Sequence, residues 1–280
     1  EDLLYSHDRA LRRKHGTGKT KLLDKEQLWH EKRIHDKGLQ RFHLMLMGGD
    51  QIYFDSIWED IKALRQWVAL PRQAQLAYYF KLYMQRWLPS ERKPWSSPVP
   101  TLDASTAMAF TPTVMMWDDH DIFDGWGSYS CEMQNSPLFQ TLFRHARRAF
   151  WVFQMQHALD DLPELEDTIP AGFSRQDPLL KPITWSQVLA KDRLALPLLD
   201  GQPGFTSAYA IGPVAIVAAD LRTERSRAQI MGSDTWNQIK KWTGNLESGN
   251  ANTQPKCACQ HLLFMSSVPV VHPKLPLAES

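Results

Sequence analysis

A dense group of acidic side chains and one histidine lies in residues 117–128, WDDHDIFDGWGS, directly after the apolar run Pro112 to Met116. Like charges this close together repel one another, and they are costly near a core unless a cation, basic groups or water compensates them. A metal site is therefore the favoured interpretation, and an acidic, solvated turn is the alternative. Aromatic residues interleave with the acids, which favours the metal site. The chemically capable residues are Asp118, Asp119, His120, Asp121 and Asp124.

A second group of this kind follows another apolar run, Phe42 to Met47. Gly48 and Gly49 come next, and glycines after a buried strand let the backbone turn tightly and approach a ligand. Asp50 and Tyr53 then stand at the carboxyl end of the predicted strand. Taken alone, Asp50 could be a turn-forming residue and Tyr53 a core aromatic. Two acidic strand ends in one chain favour a shared metal site.

Basic side chains follow a third predicted strand, Val214 to Ala218. Arg222, Arg225 and Arg227 offer forked donors that match phosphate or carboxylate, so we predict Arg222 and Arg225 as phosphate-binding residues. The alternative is a structural network of salt bridges with the neighbouring acids Asp220 and Glu224.

The elements that must position these residues alternate between strands and helices, which predicts an α/β fold with its site in the loops beyond the strand ends. Strands are also predicted at Ser207 to Ile211 and Leu262 to Met265, and Gly212-Pro213 reads as a turn between two paired strands. Apolar residues at helical spacing predict helices over 57–70, 74–87, from Ser136-Pro137 to about residue 157, and around 234–242.

Composition is that of an ordinary globular chain. The 280 residues are 43% hydrophobic and include 11 Trp, enough for a sizeable core. A net charge of +1 gives no nucleic-acid or membrane-surface character, and no run reaches the roughly 18 apolar residues that span a bilayer. We predict no nucleic-acid partner and no membrane span. Three cysteines are too few for a disulfide framework, so we expect a reducing, cytoplasmic compartment.

The chain is predicted to divide into a polar, basic arm over residues 1–40 and a domain over residues 41–280. Gly18-Lys19-Thr20 resembles the end of a phosphate-binding loop, but Arg13 stands where that motif needs glycine. A nucleotide-binding loop is therefore rejected.

Four segments in this order resemble the PhoD-like alkaline phosphatase D family of metallophosphoesterases, and the resemblance covers roughly residues 42–272. The segments are GGDQIYFD at 48–55, MWDDHDIFDGWGS at 116–128, ADLRTERSR at 219–227 and LLFMSSVPVV at 262–271. The resemblance implies a metallophosphatase-like sandwich of two β-sheets packed face to face and flanked by helices. It also implies a metal centre at the carboxyl ends of the strands.

Carried over by this resemblance, Asp50 is the aspartate that bridges the metals and Tyr53 is the tyrosine that ligates iron. Asp119 occupies a further ligand position, and His120 is the catalytic histidine that contacts the phosphate. Oxygen donors of this kind suit Fe, Ca, Mn or Mg. The implied reaction is hydrolysis of a small phosphomonoester or phosphodiester by a metal-activated hydroxide.

The sequence departs from the family pattern at both ends. No cysteine or acidic strand end precedes GGDQIYFD, and no Ser-Gly-Asp-x-His segment follows residue 269. We therefore expect a partial domain, incomplete at both ends, with weak metal loading. The alternative function is that of a catalytically inactive binding or scaffold module that has kept the sheet.

Overall fold

In a computed structural model of the chain, the described residues are 42–65, 72–87, 107–109, 111–158, 197–248 and 259–269. The predicted arm, residues 1–40, lies outside them. Eleven strands and helices follow one another along the described residues. They are β1 (Met45–Gly48), α1 (Ile57–Asp60), α2 (Lys62–Arg65), α3 (Arg72–Trp87), β2 (Thr113–Met116), α4 (Cys131–Gln134), α5 (Pro137–Phe153), β3 (Ser207–Ile211), β4 (Val214–Ala218), α6 (Ser233–Ser248) and β5 (His261–Met265).

The chain divides into two compact units. One comprises residues 1–46 and 84–114, and the other comprises residues 47–83 and 115–280. β1 and β2 pair with each other in a two-stranded sheet. The side chains that the sequence singles out all belong to the second unit.

A three-stranded sheet in the order β3-β4-β5 forms the second unit's own sheet. β3 and β4 are antiparallel, with Ser207 opposite Ala218 and Ile211 opposite Val214. The turn between them contains Gly212 at φ 58°, a left-handed conformation that glycine adopts without a steric penalty. β4 and β5 are parallel, so the loops after Ala218 and Met265 leave the same edge of the sheet. This edge is where the Arg222 segment begins.

α5 supplies the aromatic core under the acidic segment. It begins where predicted, because the Ser136 side chain accepts a hydrogen bond from the Phe139 amide and Pro137 fits the first helical position. Phe143 stacks on Trp126 with ring centroids 4.9 Å apart, and Phe150 lies 5.0 Å from Trp117. Both tryptophans are completely buried, so they hold the acidic segment against the core.

The predicted fold class is confirmed at the level of a mixed α/β chain with two small sheets and helices. β3 and β4 have the predicted bounds, whereas the helix predicted over 57–70 is two short helices, α1 and α2, where it is described. The face-to-face packing of two sheets stays a prediction. Within the described residues, no helix has the length and apolar character needed to cross a membrane.

Candidate functional site

The turn after β1 brings its backbone close to the acidic segment. Gly49 has φ 102°, and a Cβ atom at this position would lie 2.7 Å from the Asp118 Cβ atom. A side chain at position 49 would therefore collide with the start of the acidic segment. Asp50 follows in a left-handed conformation, φ 52°, which aspartate adopts more readily than most residues. The close approach explains the second of the paired glycines, Gly49, whereas a Cβ atom at Gly48 would meet nothing within 4 Å.

Asp50, Asp119 and His120 form a group whose possible ligand atoms all lie within 4.8 Å of one another. Within the described part of the chain, Asp50 Oδ1 is buried and has no hydrogen-bond partner. Burial raises the pKa of Asp50, and the negative charges of Asp118 and Asp119 raise it further, although the positive charge of His120 opposes them. Such a carboxylate gains from a cation, so Asp50 and Asp119 fit a metal ion, with His120 beside it.

His120 is held by a carboxylate that the sequence analysis did not single out. Its Nδ1 atom lies 2.6 Å from Asp55 Oδ2, and its Nε2 atom lies 3.9 Å from Asp124 Oδ1. Burial lowers the pKa of His120, but the hydrogen bond to Asp55 and the charges of Asp55, Asp50 and Asp119 outweigh it, so the pKa is raised. Asp55 therefore orients the ring and favours the imidazolium form. The second acid of GGDQIYFD was the only sequence signal for this pairing.

Tyr53 lies beside this group as an exposed side chain. Its ring centroid is 4.4 Å from that of His120, with the two planes tilted by 34°. The negative charge of Asp50 raises the pKa of the Tyr53 phenol, which favours its protonated form when no cation is bound. The structure brings Tyr53 to the site, and its predicted role as an iron ligand stays a prediction.

Arg222 reaches the acidic segment from the loop after β4. It is buried, its Nε atom donates to Asp118 Oδ1, and its NH2 atom lies 3.1 Å from Asp119 Oδ1. A third donor, NH1, bonds the Trp126 carbonyl oxygen at 3.1 Å. These contacts place a fixed positive charge against two of the four neighbouring aspartates. The acidic segment is thus compensated in part by arginine and is not simply a solvated turn.

Asp119 has contacts on both carboxylate oxygens, because Oδ2 accepts the Gly125 amide at 2.9 Å while Oδ1 accepts Arg222. Each carboxylate oxygen can accept more than one partner, so these bonds orient Asp119 and still leave it capable of holding a cation. Asp121, in contrast, is fully buried, and Asp124 has a side chain that is 75% exposed.

Arg225 packs against Gly127, the glycine of the acidic segment with φ 91°. A Cβ atom at position 127 would lie 2.0 Å from Arg225 Cγ, so only glycine leaves room for this side chain. Burial lowers the pKa of Arg225, as does the neighbouring charge of Arg222, while Asp118 and Asp119 raise it. Arg225 therefore lies within the electrostatic reach of the acidic group. Arg227 is more exposed, and its Nε atom donates to the Ser128 carbonyl.

The family to which the chain belongs follows from comparison with known proteins. The profile described as "PhoD related phosphatase" matches residues 7–170, more than half of the chain and a range that includes the first two sequence motifs. The chain belongs to the PhoD related phosphatase family.

The chain is also 27% identical, over 262 residues, to the uncharacterized protein YGR266W of Saccharomyces cerevisiae. The alignment covers 84% of this chain and 33% of the yeast protein, so the chain spans about a third of the length of this curated relative. No solved structure matches the chain.

In this member of the PhoD related family, the carboxylate of Asp220, which the sequence offered only as a salt-bridge partner, fixes the loop that carries Arg222. Asp220 is buried and accepts hydrogen bonds from Trp117 Nε1 at 2.8 Å and from the Arg222 amide at 2.9 Å. It also accepts the Phe205 amide at 2.7 Å. Asp220 therefore ties the end of β4 to the start of the acidic segment. Nothing local in the sequence shows this bond, since Trp117 and Asp220 lie 103 residues apart.

Proposed function

We propose that this chain is a metal-dependent phosphoesterase that hydrolyses phosphomonoesters or phosphodiesters at the group formed by Asp50, Asp119 and His120. The observation that supports it best is the meeting of two strand-end acids and a histidine, with a buried, unpartnered Asp50 oxygen among the described residues. Membership of a phosphatase family supplies the reaction class. The proposal keeps the sequence expectation that the two sheets pack face to face.

The donor set fits a hard or borderline cation. The two carboxylates, Asp50 and Asp119, suit Fe, Mn, Mg or Ca better than a thiolate-seeking ion, and the remaining positions would be left to water or substrate oxygens, with His120 beside the ion. When bound there, such an ion supplies charge neutralisation for the phosphate and a more acidic water. Tyr53 lies close enough to His120 to be a further candidate ligand.

His120 is proposed to work through Nε2, because Nδ1 is engaged by Asp55 at 2.6 Å. The hydrogen bond to Asp55 and the surrounding carboxylates outweigh burial and raise the pKa of His120, which favours the protonated ring, and its Nε2–H would then donate to a phosphate oxygen or to the departing alkoxide. Asp55 acts through His120, as a positioning residue that fixes the tautomer and the ring angle.

The two arginines have different proposed roles. Arg222 is committed to Asp118, Asp119 and the Trp126 carbonyl, so it mainly keeps the acidic segment folded and its charge balanced. Arg225, placed by Gly127 beside the same acids, is the better candidate for holding an anionic substrate. Both remain proposals for phosphate contact.

Hydrolysis of p-nitrophenyl phosphate and bis(p-nitrophenyl) phosphate tests the proposal. The chain as purified is expected to release p-nitrophenol, to lose that activity after treatment with a chelator, and to regain it when one of Fe²⁺, Mn²⁺, Mg²⁺ or Ca²⁺ is added. Asp119→Ala, which removes one ligand, should respond to none of the ions. Equal activity before and after chelation, or no activity with any ion, would contradict a metal-dependent phosphoesterase.

A further inference from the structure

Asp121 is a fully buried carboxylate that touches the backbone on both sides of the candidate metal group. Its Oδ1 atom accepts the amides of Gln51 and Ile52, each at 3.1 Å, and these residues directly follow Asp50. Its Oδ2 atom accepts the amide of Asp118 at 2.9 Å, directly before Asp119. One carboxylate therefore bridges the two turns from which the candidate ligands arise.

The bridge through Asp121 stabilises the backbone turn at Asp50. Asp50 has φ 52°, a left-handed conformation that aspartate adopts more readily than most residues but that still costs free energy relative to an ordinary turn. The amides of Gln51 and Ile52 point at Asp121 as a consequence of that turn. If these amides lost their acceptor, the turn would lose the contacts that keep Asp50 facing Asp119 and His120.

A second side chain fixes the orientation of Asp121. Gln154, the residue that ends α5, is buried, and its Nε2 atom donates to Asp121 Oδ1 at 3.0 Å and to the Tyr83 hydroxyl at 2.7 Å. Its position is set in turn by α5, whose aromatic face is packed in the core. The link from α5 through Gln154 to Asp121 thus connects a rigid helix to both ligand turns.

We infer that Asp121 and Gln154 are positioning residues that set the separation of Asp50 from Asp119 and His120, and that they create metal affinity without touching the ion. The inference rests on the proposed metal-dependent function. One part of the inference, that Asp121 holds the two turns together, can be tested in the metal-free chain.

The experiment compares Asp121→Asn and Gln154→Leu with the unaltered chain, and Glu224→Gln is the matched control. Asparagine keeps the shape of Asp121 but replaces one carboxylate oxygen with an NH₂ group. This group cannot accept a hydrogen bond, so at least one of the backbone amides loses its acceptor. Leucine removes the donor of Gln154 and keeps the charge of Asp121. Glu224 is also a largely buried carboxylate, bonded to the Thr235 hydroxyl at 2.5 Å, and it makes none of the bonds to the ligand turns.

Two measurements distinguish a loss of ligand positioning from a general destabilisation of the fold. Hydrogen exchange of the metal-free chains is expected to show faster exchange at Gln51, Ile52 and Asp118 in both variants, with β3 and β4 unchanged. Calorimetric titration with Mn²⁺ is expected to show affinity lowered roughly 10–100-fold in Asp121→Asn, as for other residues that orient metal ligands. Glu224→Gln should match the unaltered chain in both readouts, even if it melts at a lower temperature.

Unchanged exchange at those three amides in Asp121→Asn would overturn the inference, as would unchanged Mn²⁺ affinity. If that variant fails to fold, the same comparison in Gln154→Leu decides. If the unaltered chain binds no Mn²⁺ or other hard cation, the proposed function and the affinity half of the inference both fail. Faster exchange in the variants would then show that the clamp exists without serving a metal.

Discussion

His120→Ala is expected to lower metal-dependent phosphate release by about 10²–10⁴-fold, the range typical of losing a general acid–base group. Activity falls because the variant lacks the Nε2 proton donor, while the carboxylates of Asp50 and Asp119 stay in place. His120 is about a quarter exposed, so its removal leaves no large cavity in the core. Far-UV circular dichroism and the unfolding midpoint should therefore change little.

His43→Ala is the matched control, since His43 is an exposed histidine outside the candidate site. It should keep full activity. The activity of Asp55→Asn should lie between those of His43→Ala and His120→Ala. The imidazole stays in this variant, but its Nδ1 atom loses the carboxylate that lies 2.6 Å away. Activity of His120→Ala equal to that of His43→Ala would show that the reaction, if any, uses another residue.

Arg222→Leu is expected to lower the free energy of unfolding by about 3–5 kcal/mol, the usual cost of removing one partner of a buried ion pair. The Arg222 and Asp118 side chains are only 8% and 10% exposed, and Asp119 also loses a partner. Leucine fills much of the space but leaves these carboxylates without compensating charge. Chemical denaturation followed by tryptophan fluorescence measures the change, because Trp117 and Trp126 lie beside the site.

Arg227→Leu provides the comparison within the same loop. Arg227 is exposed and its Nε atom meets a single carbonyl oxygen, so the variant should stay within about 0.5 kcal/mol of the unaltered chain. This pair of variants also separates the two alternatives that the sequence left open. A stable Arg222→Leu with a raised KM for the phosphate ester would mean that Arg222 chiefly binds substrate.

Strand ends were the part of the site that the sequence could predict. Paired glycines, short apolar runs and adjacent acids are local signals, and they correctly placed Asp50 after β1 and Asp119 and His120 after β2. The bounds of β1, β2 and β5 differ from the predicted ones by one to three residues, and β1, for example, begins three residues after Phe42 and ends one residue past the apolar run, at Gly48. The exposed residues at the start of that run show that apolar character alone does not mark a strand.

The contacts that hold the site together could not be predicted in the same way. Asp55 and His120 are 65 residues apart in the chain, Arg222 and Asp118 are 104 apart, and Gln154 and Asp121 are 33 apart. Each pairing depends on how the loops fold over the strand ends, which no local pattern encodes. For this reason the four aspartates of the acidic segment, which looked alike in sequence, have different roles, from the buried Asp121 to the largely exposed Asp124.

Metal content, measured by elemental analysis of the purified chain beside Asp50→Ala, tests the central claim most directly. We expect iron, manganese, magnesium or calcium in a fixed ratio to the unaltered chain, and loss of that metal from Asp50→Ala. The reason is that the buried Oδ1 atom of Asp50 is a candidate metal ligand with no hydrogen-bond partner in the described residues. Equal metal in both chains would place the ion elsewhere. No metal in either, after incubation with each ion, would contradict a metal centre at Asp50 and Asp119, beside His120.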